Sequence, residues 1–384
     1  MTYSSTESQS TPLDEIKYES FQEDEVKSFN WSMLILQAIL FAVGIFNLIS
    51  STAIEDRALD LYKTQLLWFG LGLVATAIIL LIHFSFLSRM AYFIYFINLV
   101  LLAVVLFIGN KTLGSSRWIH IGGFNIQPSE IMKISLVICL AKYFETDKTF
   151  NGYNFRQIIP PAVITIIPAF LIMLQPDLGT ALILILTFLS MIIFMKVRKK
   201  TLVSLILIAA FTAPLAYQFA LKPYQQKRIL TFLDPMSDPK GAGYNSIQSM
   251  IAVGSGKLTG KGYRQGTQSH LNFLPEHHTD FVFSVFSEEH GFVGCVLLFL
   301  LFMAFLVNGL SISQQANDKF AMLLSLGVTI IFFWHIMINL AMVMGLLPVV
   351  GVPLPYLSYG GSSLVTSMIG VAILVNIANR KYMF

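Results

Sequence analysis

LNFLPEHHTDFVFSVFSEEHGFVGCVLLFLLFMAFLVNGL, residues 271–310, sets two kinds of chemistry side by side. Its first half, 271–291, gathers Glu276, His277, His278, Asp280, Glu288, Glu289 and His290. Its second half, 292–310, has no charged side chain. That half is about as long as the roughly 20 residues a helix needs to cross a hydrocarbon core. Ionisable groups are costly near lipid, so a cluster held against a membrane span marks a candidate site. The plainer reading is a solvated loop edge.

The rest of the chain has the same character. Its 384 residues are 55% hydrophobic and 12% charged, with a mean hydropathy of +0.70, which excludes an ordinary soluble domain. Further apolar runs lie near 31–50, 65–83, 90–109, 131–143, 158–174, 180–195, 202–221, 320–347 and 364–377. With 292–310 they make about ten spans of helical length. The expected fold is an all-α polytopic membrane protein with one membrane domain over 31–384. The run at 131–143 is short unless 127–133 already lies at membrane depth. Residues 1–30 are polar and acidic (Glu15, Glu19, Glu23, Asp24, Glu25) and read as a disordered tail without signal-peptide features. Cys139 and Cys295 sit inside apolar runs and read as small buried hydrophobes.

Net charge is a modest +4, and its distribution carries more information. Lys196, Arg198, Lys199 and Lys200 form a basic knot after the sixth run, and Arg89, Lys142, Lys148, Arg156, Lys319, Arg380 and Lys381 occupy the other loops on that side. The positive-inside rule makes these loops cytoplasmic, and an even number of spans puts both termini there. Residues 110–127 and the long loop 221–291 then face outward. The long loop is itself basic (Lys222, Lys227, Arg228, Lys240, Lys257, Lys261, Arg264), which long translocated loops tolerate. It suits an anionic, phosphate-bearing lipid head group, against the alternative of a solvated basic surface. Its glycine-rich stretch GSGKLTGKGYRQGTQ (254–268) offers backbone N–H groups for close approach, with Lys257, Lys261 and Arg264 to complete a cradle. The spacing is not that of a P-loop. Residues 247–253 are too short to span and fit an interfacial or re-entrant helix.

Three more stretches lie on the outward side. In KTLGSSRWIHIGGFNIQPSEIMK (111–133), Pro128 suits a first helical turn. Glu130 and Lys133 then share one face and can pair, Lys133 lying within an apolar run where a charge needs a partner, water or substrate. Trp118 suits an interface anchor. In QPDLGT (175–180), Asp177 is placed to cap the next helix. GLLPVVGVPLPYLSYGGSS (345–363) is broken by proline and glycine. Such backbone at membrane depth is tolerated only where it lines a cavity or is buried in protein. Its glycines and serines at 360–363 otherwise suit helix packing.

Taken together, RW…G…QPSE..K (117–133), QPDLGT, FLDP..DP.G.GY..IQS (232–249), LPE.HTDF (274–281), EE.G and LPY.SYGGSS resemble the SEDS family, the shape, elongation, division and sporulation proteins of the bacterial cell wall. The resemblance runs from about residue 31 to the end. GTQ (266–268), LNFLPE (271–276) and GVPLP (351–355) are closer to its rod-shape branch, RodA, than to its division branch, FtsW. The acidic tail departs from the shorter N-terminus usual in the family. The resemblance implies a peptidoglycan glycosyltransferase of the bacterial cytoplasmic membrane. It would polymerise lipid II with a class B penicillin-binding protein in the cell-wall elongation complex. The resemblance singles out Asp280 as essential and marks Trp118, Glu130 and Lys133 as important in the outward cavity. No nucleic-acid partner is expected.

Joining an α-linked donor into a β-1,4 glycan requires inversion, hence in-line attack with one carboxylate as general base. Asp280 takes that role. Pyrophosphate is a good leaving group that cations can stabilise, and Arg117, Lys133, Arg228 and Lys261 are the candidates. Glu276 and His278 complete the expected substrate-binding set. His277, His278 and Asp280 make no recognisable metal motif, although a carboxylate-bound Mg²⁺ or Mn²⁺ is compatible with the chemistry. The rival readings are a lipid II flippase, which would spread polar groups along a path across the spans, and a scaffold, which has no use for Asp280 and Lys133.

Overall fold

A computed structural model describes residues 29–380 apart from 53–57, 109–110, 113–114, 122–123, 148–151, 221–222, 238–241 and 268–277. Most of the acidic tail, Glu276 and His277 therefore lie outside the described residues.

Each apolar run folds as a helix: α1 (Ser32–Ser51), α2 (Ala58–Leu81), α3 (Phe84–Ile108), α4 (Pro128–Thr146), α5 (Phe155–Leu174), α6 (Leu178–Phe194) and α7 (Lys199–Leu215), the last continued by a π-turn (Ala216–Ala220). Two shorter helices follow in the long loop, α8 (Pro223–Leu233) and α9 (Ala242–Ser255), and then α10 (Val282–Gln314), α11 (Lys319–Val343) and α12 (Gly361–Arg380). Among the described residues eight helices are both long and apolar enough to cross a membrane. Helix α6 is slightly short, and α4 carries Glu130, Lys133, Lys142 and Glu145. The chain is an all-α, multi-pass membrane protein.

Helix α4 tolerates its charges because it is central. Pro128 occupies its first turn, and its side chains are buried almost without interruption from Pro128 to Ala141, with α3, α5, α6, α11 and α12 packed around it. The short fourth run thus extends back to Pro128, where its first turn is already buried in protein. Around this centre, α2 pairs with α12, α1 and α11 flank α10, and α9 lies along α10. Helix α7 buries only Thr201 among its described side chains.

Three features differ from the sequence reading. First, residues 111–126 contain two small antiparallel pairs, β1 (Lys111–Thr112) with β2 (Ser115–Ser116) and β3 (Ile119–Ile121) with β4 (Phe124–Ile126). Alternation in WIHI before a glycine pair is a hairpin signal that the search for spans passed over. Second, the long loop 221–291 ends ten residues early, because the helix runs from Val282 through a kink at Gly291 (φ 62°, ψ −163°). Glu288 and Glu289, read above as loop residues, are 0% and 1% exposed. Third, the run 320–347 stops being helical at Val343, where the broken segment begins.

Candidate active site

The residues 278–281 form a turn immediately before α10, so Asp280 stands at a loop-to-helix boundary, half-buried. Hydrogen bonds hold the turn at three consecutive residues. The Tyr359 N–H donates to His278 O (2.9 Å), Ser358 Oγ to Thr279 O (2.6 Å), and Asn339 Nδ2 to Asp280 O (2.9 Å). Two residues further on, Asn47 Nδ2 of α1 donates to Val282 O (3.1 Å). The turn therefore has little freedom, which is what preorganisation of a reacting carboxylate demands.

Two of those donors come from the broken segment, which is buried at Val352, Leu354, Tyr356, Leu357 and Ser358. Irregular backbone at this depth has its polar groups satisfied by protein: Ser358 Oγ also accepts from the Leu354 N–H (2.8 Å), and Asn339 Nδ2 donates to Val352 O (2.8 Å). Gly351 has φ +74°, and a Cβ there would lie 3.4 Å from Asp280 Oδ2. The carboxylate thus rests against bare backbone. At the far end of the segment Gly361 packs on the Trp68 ring, so the small-residue packing expected at 360–363 is present too.

Glu130 and Lys133 pair as their spacing predicts, and more completely. Lys133 Nζ lies 2.9 Å from each Glu130 carboxylate oxygen and 2.7 Å from His335 Nε2. An ammonium has three donors, and all three are spent. At 2% exposure for Lys133 and 4% for Glu130, substrate can reach the ammonium only if this network opens. His335 Nδ1 lies 3.1 Å from Pro353 O. With Nε2 accepting from Lys133, Nδ1 carries the ring proton and donates to that carbonyl.

Arg228 of α8 also reaches the broken segment, donating from Nη1 to Val349 O (3.0 Å). Asp280, His278, Arg228 and, through His335, Glu130 and Lys133 therefore converge on one stretch, 349–359. Lys261 does not join them. Its Nζ meets Glu288 Oε1 (2.5 Å) and Thr267 Oγ1 (2.8 Å), and Glu288 stands eight positions beyond Asp280, roughly 12 Å along a helix. Arg117 donates from Nε to Gln175 O (2.7 Å) and from Nη2 to Pro176 O, with Trp118 half-buried beside it in sequence. Asp177 caps α6 by accepting from the Thr180 N–H (3.2 Å), and also accepts from Gln127 Nε2 (3.1 Å).

Sequence reasoning missed Asn339 and His335. The available signal was a histidine and an asparagine four positions apart in an apolar helix, where polar side chains are rare and placed for a reason.

Among the described residues no three His, Cys, Asp or Glu side chains gather as a metal site. Glu130, Glu288 and Glu289 are committed to Lys133, to Lys261 with Thr267, and to Ser50. Asp280 is the carboxylate in the turn itself, and one carboxylate is a donor set that fits Mg²⁺ only with substrate oxygens in addition.

Residues 30–383 match the family described as cell cycle protein, FtsW, RodA and SpoVE. The peptidoglycan glycosyltransferase MrdB of Escherichia coli K12 is 36% identical over 354 residues, covering 90% of this chain and 93% of that protein. Stage V sporulation protein E of Bacillus subtilis is also 36% identical over 354 residues, covering 90% and 96%. Among solved structures, a chain of a peptidoglycan synthase complex that coordinates polymerization and crosslinking superposes with a TM-score of 0.80 at 30% identity, covering 93% of this chain and 99% of that one. The rod shape determining protein RodA of Thermus thermophilus superposes with a TM-score of 0.69 at 26% identity, covering 92% and 98%.

Proposed function

This chain belongs to the FtsW, RodA and SpoVE family of cell cycle proteins, and we propose that it is a peptidoglycan glycosyltransferase polymerising lipid II into β-1,4-linked glycan during cell elongation. The observation that carries the chemistry is the Asp280 turn, a half-exposed carboxylate whose backbone is fixed at three consecutive residues. Asp280 takes the proton from the acceptor 4-hydroxyl as that oxygen attacks the donor's anomeric carbon from the face opposite the pyrophosphate. The C1–O bond to pyrophosphate breaks, the new C1–O4 bond forms, and configuration inverts. Arg228, with one guanidinium N–H spent on Val349 O, keeps donors for the leaving group. Arg117 is assigned to phosphate from the outward loops, and Trp118, Glu276 and His278 to the glycan, while Lys261, held by Glu288, fastens the glycine-rich loop. Glu130 and Lys133 support the site from within. Mg²⁺ or Mn²⁺ at Asp280 would supply positive charge to the departing pyrophosphate when bound.

The positive-inside pattern supports a bacterial cytoplasmic membrane location with both termini and the tail 1–30 cytoplasmic and 221–291 outward. A class B penicillin-binding protein of the elongation complex is the proposed partner. Support for it is the synthase complex among the structural relatives and the exposed apolar face of α10 (Phe292, Leu297, Leu300, Val307), which suits a single-span helix.

The test offers labelled lipid II to purified protein and its partner, with the partner's own glycosyltransferase activity excluded. Wild type gives a glycan ladder. Asp280→Asn keeps size and removes basicity, so it folds, binds lipid II and polymerises about a hundredfold less or worse. Equal ladders from the two remove Asp280 from the mechanism, and no ladder from wild type favours the flippase.

A further inference from the structure

His335 and Asn339 stand one helical turn apart on α11 and grip consecutive carbonyls of the broken segment, Pro353 O and Val352 O. The same Asn339 nitrogen donates to Asp280 O. A carboxamide nitrogen has two protons, and here both are used, one on the segment that supports Asp280 and one on Asp280 itself. We infer that Asn339 and His335 are positioning residues for Asp280, and that the buried Glu130–Lys133 pair acts on catalysis through this grip rather than by touching substrate. The inference rests on Asp280 being the base.

The burial of Asn339 argues that it is kept for this purpose. It is 0% exposed, and its Oδ1 has no hydrogen-bond partner among the described residues. A buried acceptor left unpaired weakens a fold, so the amide carries a cost at its Oδ1 that it offsets only through the two carbonyls its nitrogen holds. An amide that is expensive for packing and spends both donors on the reactive turn is placed for geometry. His335 continues the connection inward. Its Nε2 accepts one of the three Lys133 protons while Nδ1 fixes Pro353 O, so Lys133 sets the orientation of the ring that holds the segment. From Glu130 the connection runs through Lys133 and His335 to 352–353, and through Asn339 to Asp280.

Asn339→Leu in the full-length protein with its partner is the test. The expected variant accumulates in membranes, melts modestly below the wild-type temperature because Val352 O and Asp280 O lose a donor, retains the wild-type KM for lipid II, and loses ten- to a hundredfold in kcat. The Glu130→Gln/Lys133→Met pair, measured alone and combined with Asn339→Leu, reads the second half. Groups acting through one grip give combined losses well short of the product of the separate ones. A wild-type kcat in Asn339→Leu overturns the inference, as does failure of that variant to fold, because the amide would then be structural. A raised KM at unchanged kcat overturns it as well, and fully multiplicative losses return Lys133 to direct substrate contact. His335→Gln in the same assay must also lower kcat at constant KM. Asp280→Asn run alongside keeps the two readings apart: its loss with an intact Asn339→Leu sinks this inference alone, while its full activity sinks the assignment of the base.

Discussion

Lys261 Nζ lies 2.5 Å from Glu288 Oε1 across 27 residues of sequence, and the Glu288 side chain is fully buried while that of Lys261 is 30% exposed. The same oxygen accepts from the N–H and hydroxyl of Thr267, both at 2.9 Å. The Lys261 and Gly262 N–H groups donate in turn to Glu288 O (2.9 Å) and Glu289 O (3.0 Å). A glycine-rich loop expected to cradle phosphate is thus fastened to the first turns of α10.

Removing one partner of a buried pair costs more than the pair contributes, because a charge is left behind. Lys261→Met should therefore destabilise the protein, by about 1–3 kcal/mol given the solvent around the lysine and the bonds Thr267 retains. Thermal unfolding in detergent measures this, and adding Glu288→Gln should recover much of the loss. A lysine used only for substrate would lower turnover at an unchanged melting temperature.

The kink that admits the loop gives the second prediction. Gly291 has φ +62°, and a Cβ there would sit 2.2 Å from the Gly260 nitrogen. Gly260, at φ +81°, would place its own Cβ 2.0 Å from Glu289 O. Left-handed backbone costs a side chain about 1–3 kcal/mol, and here a backbone clash adds to it. Gly291→Ala should lower the melting temperature and expose 256–262 to protease. A variant as stable and resistant as wild type would refute the account.

The apolar helices were legible because lipid imposes a length and an apolar composition that few other environments demand. Pro128, the Glu130–Lys133 spacing and the Asp177 cap were legible because helix starts and same-face pairs depend on neighbours in sequence. The grip of His335 and Asn339 was not, since its partners are carbonyls in an irregular segment and lie 13 to 59 positions away. Nor was the Lys261–Glu288 pair, which exists only because Gly291 turns α10 beneath the loop. Local rules place elements, and contacts between irregular backbone and distant side chains need the assembled fold.

Orientation gives a third prediction. The basic knot at 196–200 should be cytoplasmic and 254–268 outward. Impermeant thiol labelling of intact cells, in a background without Cys139 and Cys295, should modify Thr259→Cys and spare Lys199→Cys. Thr259 is exposed, whereas neighbouring Gly256 cannot carry a side chain, because its Cβ would lie 2.0 Å from Ser287 O. Labelling of Lys199→Cys alone would invert the topology.

The Glu130–Lys133 pair gives the last prediction. Lys133→Met alone strands a carboxylate at 4% exposure in a helix surrounded by other helices, at a cost of about 3–5 kcal/mol. Glu130→Gln alone strands the ammonium, which keeps only His335 and the amide oxygen, and should cost somewhat less. The double change removes both charges and exchanges a buried ion pair for groups of similar volume, which is often neutral for stability. The double variant should therefore recover expression and melting temperature while polymerisation stays low, because no ammonium then holds His335 Nε2 and the ring is free to release Pro353 O. Size-exclusion profiles and melting curves report the fold, and glycan ladders at equal protein report the activity. A double variant with wild-type ladders would make the pair structural only. One that remains as unstable as Lys133→Met would mean that Lys133 holds α4 through its His335 bond more than through its charge.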